Sequence, residues 1–170
     1  IDGDGYAPTA VVAGAPPALD AAVPMALAAR VCSSGRVVED HGSWTSQGDP
    51  MEAAIDALVH RLGLTPPPPP TRLFPFDPRR RRMSVLGDDQ VYVKGASDTV
   101  LALCLGDTTT ADATAHAMAA EGLRVLAVAS RPVAAGPVPT EAADAERDLT
   151  LLGLIGLSDP ARPHARQALE

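Results

Sequence analysis

An α+β domain, a twisted and mostly antiparallel β-sheet flanked by α-helices, is the fold class the sequence predicts, and three observations predict it. Apolar residues recur with period two through most of the chain after Leu73, as half-buried strands require. Ala-rich segments with helix start and stop signals stand before and among those strands. Two of the strands are joined by a tight turn at Gly87-Asp88-Asp89, which makes them antiparallel neighbours. At 170 residues, with 46% hydrophobic and 21% charged content, the chain is one domain, residues 1–170, long enough for a real core.

Taken in order, the short apolar stretch Ala10–Ala13 suits an edge strand in a Gly-, Ala- and Pro-rich opening. Ala18–Arg30 suits a helix, with Pro24 marking a kink or a late start. Residues 33–47 are polar and read as loop, with Trp44 as their one anchor. A second helix begins at Gly48-Asp49-Pro50, where Asp49 caps and Pro50 suits the first helical position, and ends near Arg61 before Gly63. Pro66–Pro70 forms a stiff polyproline II connector, or a ligand for a proline-recognising module. Leu73–Phe76, Met83–Leu86 and Val91–Lys94 are strands. Helices over Ser97–Cys104 and Thr110–Glu121 follow, then strands over Leu123–Ser130 and Leu149–Leu157.

Composition narrows the chemistry. No run of about 20 apolar residues exists to span a bilayer. The net charge of −7 argues against a general nucleic-acid binder. Cys32 and Cys104 match no metal-ligand spacing and read as reduced, mostly buried thiols. Of the fourteen basic residues thirteen are Arg, so the single lysine, Lys94, marks a place where a compact ammonium is needed. Aromatics are scarce too, and Phe74 and Phe76 stand directly before the densest basic run, Arg79–Arg82.

Five motifs carry candidate chemistry, each with a plainer alternative. In Gly48-Asp49-Pro50-Met51-Glu52, Glu52 either completes a capping box or offers its carboxylate to an amino group such as that of adenine. Phe76 can stack on a purine while the guanidinium groups after it meet phosphates; the alternatives are a solvated basic run or a polyanion patch. In Val91-Tyr92-Val93-Lys94-Gly95, alternation sets Lys94 opposite the two valines, and Gly95 permits close approach of a ligand; a strand-end lysine can equally be solvated. Arg124 opens an otherwise apolar strand, where a charge needs water or an anion. Ser158-Asp159-Pro160-Ala161-Arg162-Pro163 reads as a stiff exit linker.

In this order the five motifs resemble the nucleotide-binding domain of P-type cation-transporting ATPases of the calcium, magnesium or sodium/potassium type. That family carries Gly-Asp-Pro-Thr-Glu, Phe-Asp-Ser-x-Arg-Lys-Arg-Met-Ser, Lys-Gly-Ala-Pro-Glu, Gly-Leu-Arg-Val-Leu-Ala and Asp-Pro-Pro-Arg. The likeness covers residues 48–162, with departures at Met51, Pro78, Ser97-Asp98 and Ala161. It implies that Phe76 stacks on adenine, Glu52 bonds its amino edge and Lys94 lines the base pocket, with Met83 and Gly95 also nucleotide-binding. Arg81, where the family usually has Lys, and Arg124 would face phosphates or ribose. Asp159, Pro160 and Arg162 would belong to a hinge over residues 158–170. It also implies ATP, as Mg-ATP, as ligand, and phosphorylation and actuator domains of the same parent chain as partners. The setting it implies is the cytoplasmic side of an integral, plasma-membrane pump, with this piece monomeric. The family's phosphoryl-acceptor motif Asp-Lys-Thr-Gly-Thr is not in the sequence, so the chain is expected to bind ATP without hydrolysing it. No residue is assigned a catalytic or metal-binding role. The competing function is an anionic-polymer module built on Arg79–Arg82.

Overall fold

The computed structural model describes residues 5–9, 12–87, 89–133 and 138–158. Asp159, Pro160 and Arg162, assigned to a hinge, lie outside the described residues, as do Ala10 and Val11 of the expected edge strand. The first helix, α1 (Pro16–Val31), starts at a proline in its first turn and runs through Pro24, so Pro24 is not its start. An antiparallel hairpin, β1 (Arg36–Asp40) and β2 (Ser43–Gln47), comes next. Then follow α2 (Pro50–Arg61) and three sheet strands, β3 (Arg72–Asp77), β4 (Arg82–Gly87) and β5 (Gln90–Ala96). Two helices, α3 (Ser97–Leu101) and α4 (Thr109–Ala120), lead to β6 (Arg124–Pro132). A short α5 (Ala142–Ala145) precedes β7 (Thr150–Leu157).

Strands β3 to β7 form one five-stranded sheet in sequential order, every neighbour antiparallel. Register fixes two faces. Val91, Val93 and Gly95 stand level with Arg131, Ala129 and Ala127 of β6 on one face. That face packs with Val100 of α3, Ala145 of α5 and Leu149 into the larger core. The other face carries Tyr92 and Lys94 level with Ser130 and Val128, and there α1 and α2 supply Ala28, Ala29 and Ile55. The molecule is therefore α+β, an antiparallel sheet flanked by helices on both faces.

Residues 33–47 correct the loop expectation. Residues 33–35 are loop, but 36–47 form the β1–β2 hairpin, closed by His41 and Gly42 with φ of 49° and 81°. Positive φ at both central turn positions is the geometry whose twist matches that of the flanking strands. Trp44 is no anchor either: it faces Glu39 across the hairpin and stays 37% exposed. Both cysteines are free thiols, Cys32 buried and Cys104 half-buried.

Candidate nucleotide site

The centre of the site is a buried ion pair. Alternation along β5 turns Lys94 toward α1 and α2, where its side chain is only 7% exposed. Its ammonium donates to Glu52 Oε1 at 3.0 Å and to Ser33 Oγ at 2.7 Å. Ser33 in turn donates to the carbonyl of Ala29, which ties the lysine to the end of α1. Glu52 stands in the first turn of α2 because Asp49 caps that helix, accepting from the amides of Met51 and Glu52. Capping is thus only part of the local design. The Glu52 carboxylate does not reach back to the cap; its Oε2 accepts from Ser34 N, Ser34 Oγ and Gly35 N at 2.7, 3.0 and 3.0 Å. Among the described residues Oε1 accepts from Lys94 alone, which leaves a lone pair on that oxygen for another donor.

Electrostatics follow from this arrangement. Burial alone would raise the Glu52 carboxyl, but Lys94 and the Gly35 and Ser34 amides outweigh it and hold the group below its ordinary 4.5. Cys32, adjacent to the pair, is pushed up to about 12 by burial, Lys94 lowering and Glu52 raising it by less. A thiol held protonated at neutral pH is a packing residue rather than a nucleophile.

The other sequence-assigned residues distribute around this pair. Met83 is the register partner of Lys94 on β4, so the two share a face with Val128 of β6. Arg124, four residues before Val128 on β6, falls on that same face and is exposed, and its guanidinium has no hydrogen bond or ion pair among the described residues. Gly95 lies on the opposite face, where a Cβ would stand 2.6 Å from the Arg81 carbonyl oxygen and 2.7 Å from Arg82 Cα. Close approach at Gly95 therefore serves the β4 backbone. Phe76 sits within a register shift near the end of β3 and is 57% exposed, an unusual position for one of five aromatics.

The arginine run is not a free cationic patch. Pro78–Arg81 form the loop between β3 and β4, with Arg81 at φ 52° and its amide donating to Asp77 O at 2.7 Å. Asp77 also accepts from the Arg79 amide at 2.7 Å, and this bond leads the effects that lower its carboxyl. Arg80 pairs with Glu146 and Arg81 with Asp98. Arg82 donates to Glu146 at 2.7 Å. Within the run Arg79–Arg82, the Arg79 guanidinium alone makes no hydrogen bond or ion pair among the described residues. Glu146, Asp98 and Ser33 escaped the sequence reading because each acts through a partner distant along the chain; Ser33 and Lys94 are 61 positions apart.

A surface concavity of about 520 Å³ lies elsewhere, on Thr9, Leu19, Asp20, Val23, Arg61 and Leu62 among others. Its one cation, Arg61, already donates to the carbonyls of Ala7 and Gly5, so chemistry favours the Lys94 region over that hollow. Among the described residues no group of three or more His, Cys, Asp or Glu is arranged to hold a metal, and no helix is long and apolar enough to cross a membrane.

Comparison with known proteins agrees with the sequence motifs. Residues 23–164 match the family described as P-type ATPase, cytoplasmic domain N. A calcium-transporting ATPase of Bacillus subtilis is 31% identical over 86% of this chain and 19% of its own length. A sodium/potassium exporting P-type ATPase of Schizosaccharomyces pombe is 31% identical over 89% of this chain and 17% of its own. A cation-transporting ATPase of Synechocystis is 29% identical over 92% and 19%. The chain thus spans less than a fifth of the length of these relatives.

Proposed function

Because this chain belongs to the P-type ATPase cytoplasmic N-domain family, we propose that it binds ATP and presents the terminal phosphate to an aspartate in another domain of a longer cation-transporting pump. The observation that carries this reading is the buried Lys94, held by Glu52 and Ser33 on the sheet face that Arg124 shares. A buried ammonium is expensive unless paired, and one placed at the mouth of a site gives a polarised wall for a base. In this reading the exposed Phe76 ring stacks on adenine and the remaining lone pair of Glu52 Oε1 takes its amino edge. Met83 borders the base, and Gly95 borders it through its backbone alone, its Cα being packed on β4. Arg124 meets phosphate or ribose oxygens, as does Arg81 once it exchanges Asp98 for the ligand.

ATP, bound as Mg-ATP, supplies the transferable phosphoryl group. This chain's residues bind and orient it, and none acts as a catalyst. Phosphorylation and actuator domains of the same longer protein, anchored in a membrane, are the partners this implies. Asp159, Pro160 and Arg162 form the hinge toward them, and residues 1–170 act as one monomeric unit on the cytoplasmic side. The alternative, an anionic-polymer module, is disfavoured because the buried Glu146 already engages Arg80 and Arg82 in a chain of net charge −7.

Titration with ATP, GTP and inorganic triphosphate, followed by backbone amide NMR, tests the reading. ATP shifts the amides of Glu52, Phe76, Lys94 and Arg124, and triphosphate does not reproduce the shifts at Glu52, Phe76 and Lys94. Phe76→Ala weakens ATP binding at least about tenfold, the scale of one lost base–aromatic stack. It changes folding stability by less than about 0.5 kcal/mol, since the ring is exposed. Equal ATP affinity in Phe76→Ala and wild type would sink the proposal.

A further inference from the structure

The buried carboxylate of Glu146 lies outside all five sequence motifs. Its side chain is wholly inaccessible, and it follows α5, 62 positions from Ser84, with which it bonds. Three donors converge on it: Arg80, Arg82 at 2.7 Å and Ser84 Oγ at 2.8 Å. Ser84 is level with Val93 and Arg82 with Gly95, which sets both on the face opposite Lys94. Glu146 therefore cannot touch a ligand held at Lys94.

A carboxylate taken out of water is retained only where good geometry and several donors offset its desolvation. Here the donors come from the two sides of one loop. Arg80 lies in the loop between β3 and β4, Arg82 opens β4, and Arg82 also donates to the Arg80 carbonyl at 3.1 Å. Arg80 then extends the link by donating to the carbonyl of Pro75 at 2.9 Å. Pro75 immediately precedes Phe76. The path Glu146–Arg80–Pro75 is a strut that runs from the back of the sheet to the peptide carrying the exposed ring.

We infer that Glu146 is a positioning residue for adenine recognition, setting the orientation of Phe76 through Arg80 from the far face of the sheet. The inference rests on the ATP-binding reading. Arg80 and Arg82 are on this account structural cations, spent on Glu146 rather than on phosphate, which leaves Arg124 and Arg81 as the phosphate-facing pair.

The test compares wild type, Glu146→Gln and Arg80→Gln of the 170-residue chain. Each is titrated with ATP and with inorganic triphosphate, and folding is checked by thermal unfolding. ATP affinity falls about tenfold in both variants, within the span of measured site-to-site couplings. Triphosphate binding stays as in wild type. In a Phe76→Ala background neither substitution weakens ATP binding further, a non-additivity that general destabilisation does not produce. Arg80→Gln keeps the question open to measurement if Glu146→Gln does not fold, because Arg82 and Ser84 still satisfy the carboxylate. Wild-type ATP affinity in the folded variants overturns the inference, as does an equal further loss on top of Phe76→Ala. An unmoved Phe76 amide resonance in nucleotide-free Arg80→Gln overturns it too, whether or not ATP binds. A wild type that shows no ATP-dependent shift overturns the nucleotide reading itself.

Discussion

Lys94 shows what a single residue can and cannot announce. Its solitude in a chain of arginines and its place at the end of an alternating strand marked it as special. Glu52 was marked separately by its motif. Their contact across 42 positions was not written in either, because a salt bridge between distant residues depends on how α2 is laid across the sheet. Glu52→Ala leaves the ammonium with Ser33 alone and strips the Ser34 and Gly35 amides of their acceptor. The expected cost is about 3 kcal/mol, read from urea midpoints. The same pair sets an acid limit. Glu52 is held below 4.5, so its contribution is fully present above that pH and is lost as pH falls through the lower folded-state value. Wild type should exceed Glu52→Gln in stability by a constant margin above about pH 5, and that margin should shrink below about pH 4.5. A margin unchanged down to about pH 3 would show that the carboxylate is not held by Lys94.

Among elements, those with a buried face were legible and those without were not. The strands β3 to β7 and helices α2 and α4 fall within a few residues of their expected ranges, since a buried face imposes a period on the sequence. The β1–β2 hairpin has no such face. Its strands are mostly exposed, so apolar alternation is missing, and the only local signs are the Gly42 turn and the β-branched Val37, Val38 and Thr45. The short α5 escaped for a similar reason: four residues cannot display a helical period. Elements also explain Gly95. Its role is the approach of β5 to the β3–β4 loop, for Ala96 N donates to Arg81 O at 3.0 Å beside it. Gly95→Ala should cost about 1–3 kcal/mol by forcing those backbones apart, and should lower the thermal midpoint without any ligand present. An unchanged midpoint would mean the loop yields freely.

At the scale of the whole molecule, the larger sheet is a meander, and only sequential neighbours pair in it. The first pairings, β3 with β4 and β4 with β5, close short loops, whereas the contacts of α1 with β5, β6 and β7 join the two ends of the described chain. Loop-closure entropy and contact order favour the near pairings early in folding. Val85→Ala, in the β4–β5 pairing, should therefore slow folding, while Ile55→Ala, where α2 meets the sheet, should mainly speed unfolding. Stopped-flow chevrons of the two variants decide it, and equal slowing of folding by both would refute this order. The late-docking helices carry Ser33 and Glu52 to a strand that is already in place with Lys94. In that order of folding the Lys94–Glu52 pair is the last feature the chain acquires and the first it loses, and any molecule lodged there should lengthen the lifetime of the native state without hastening its arrival.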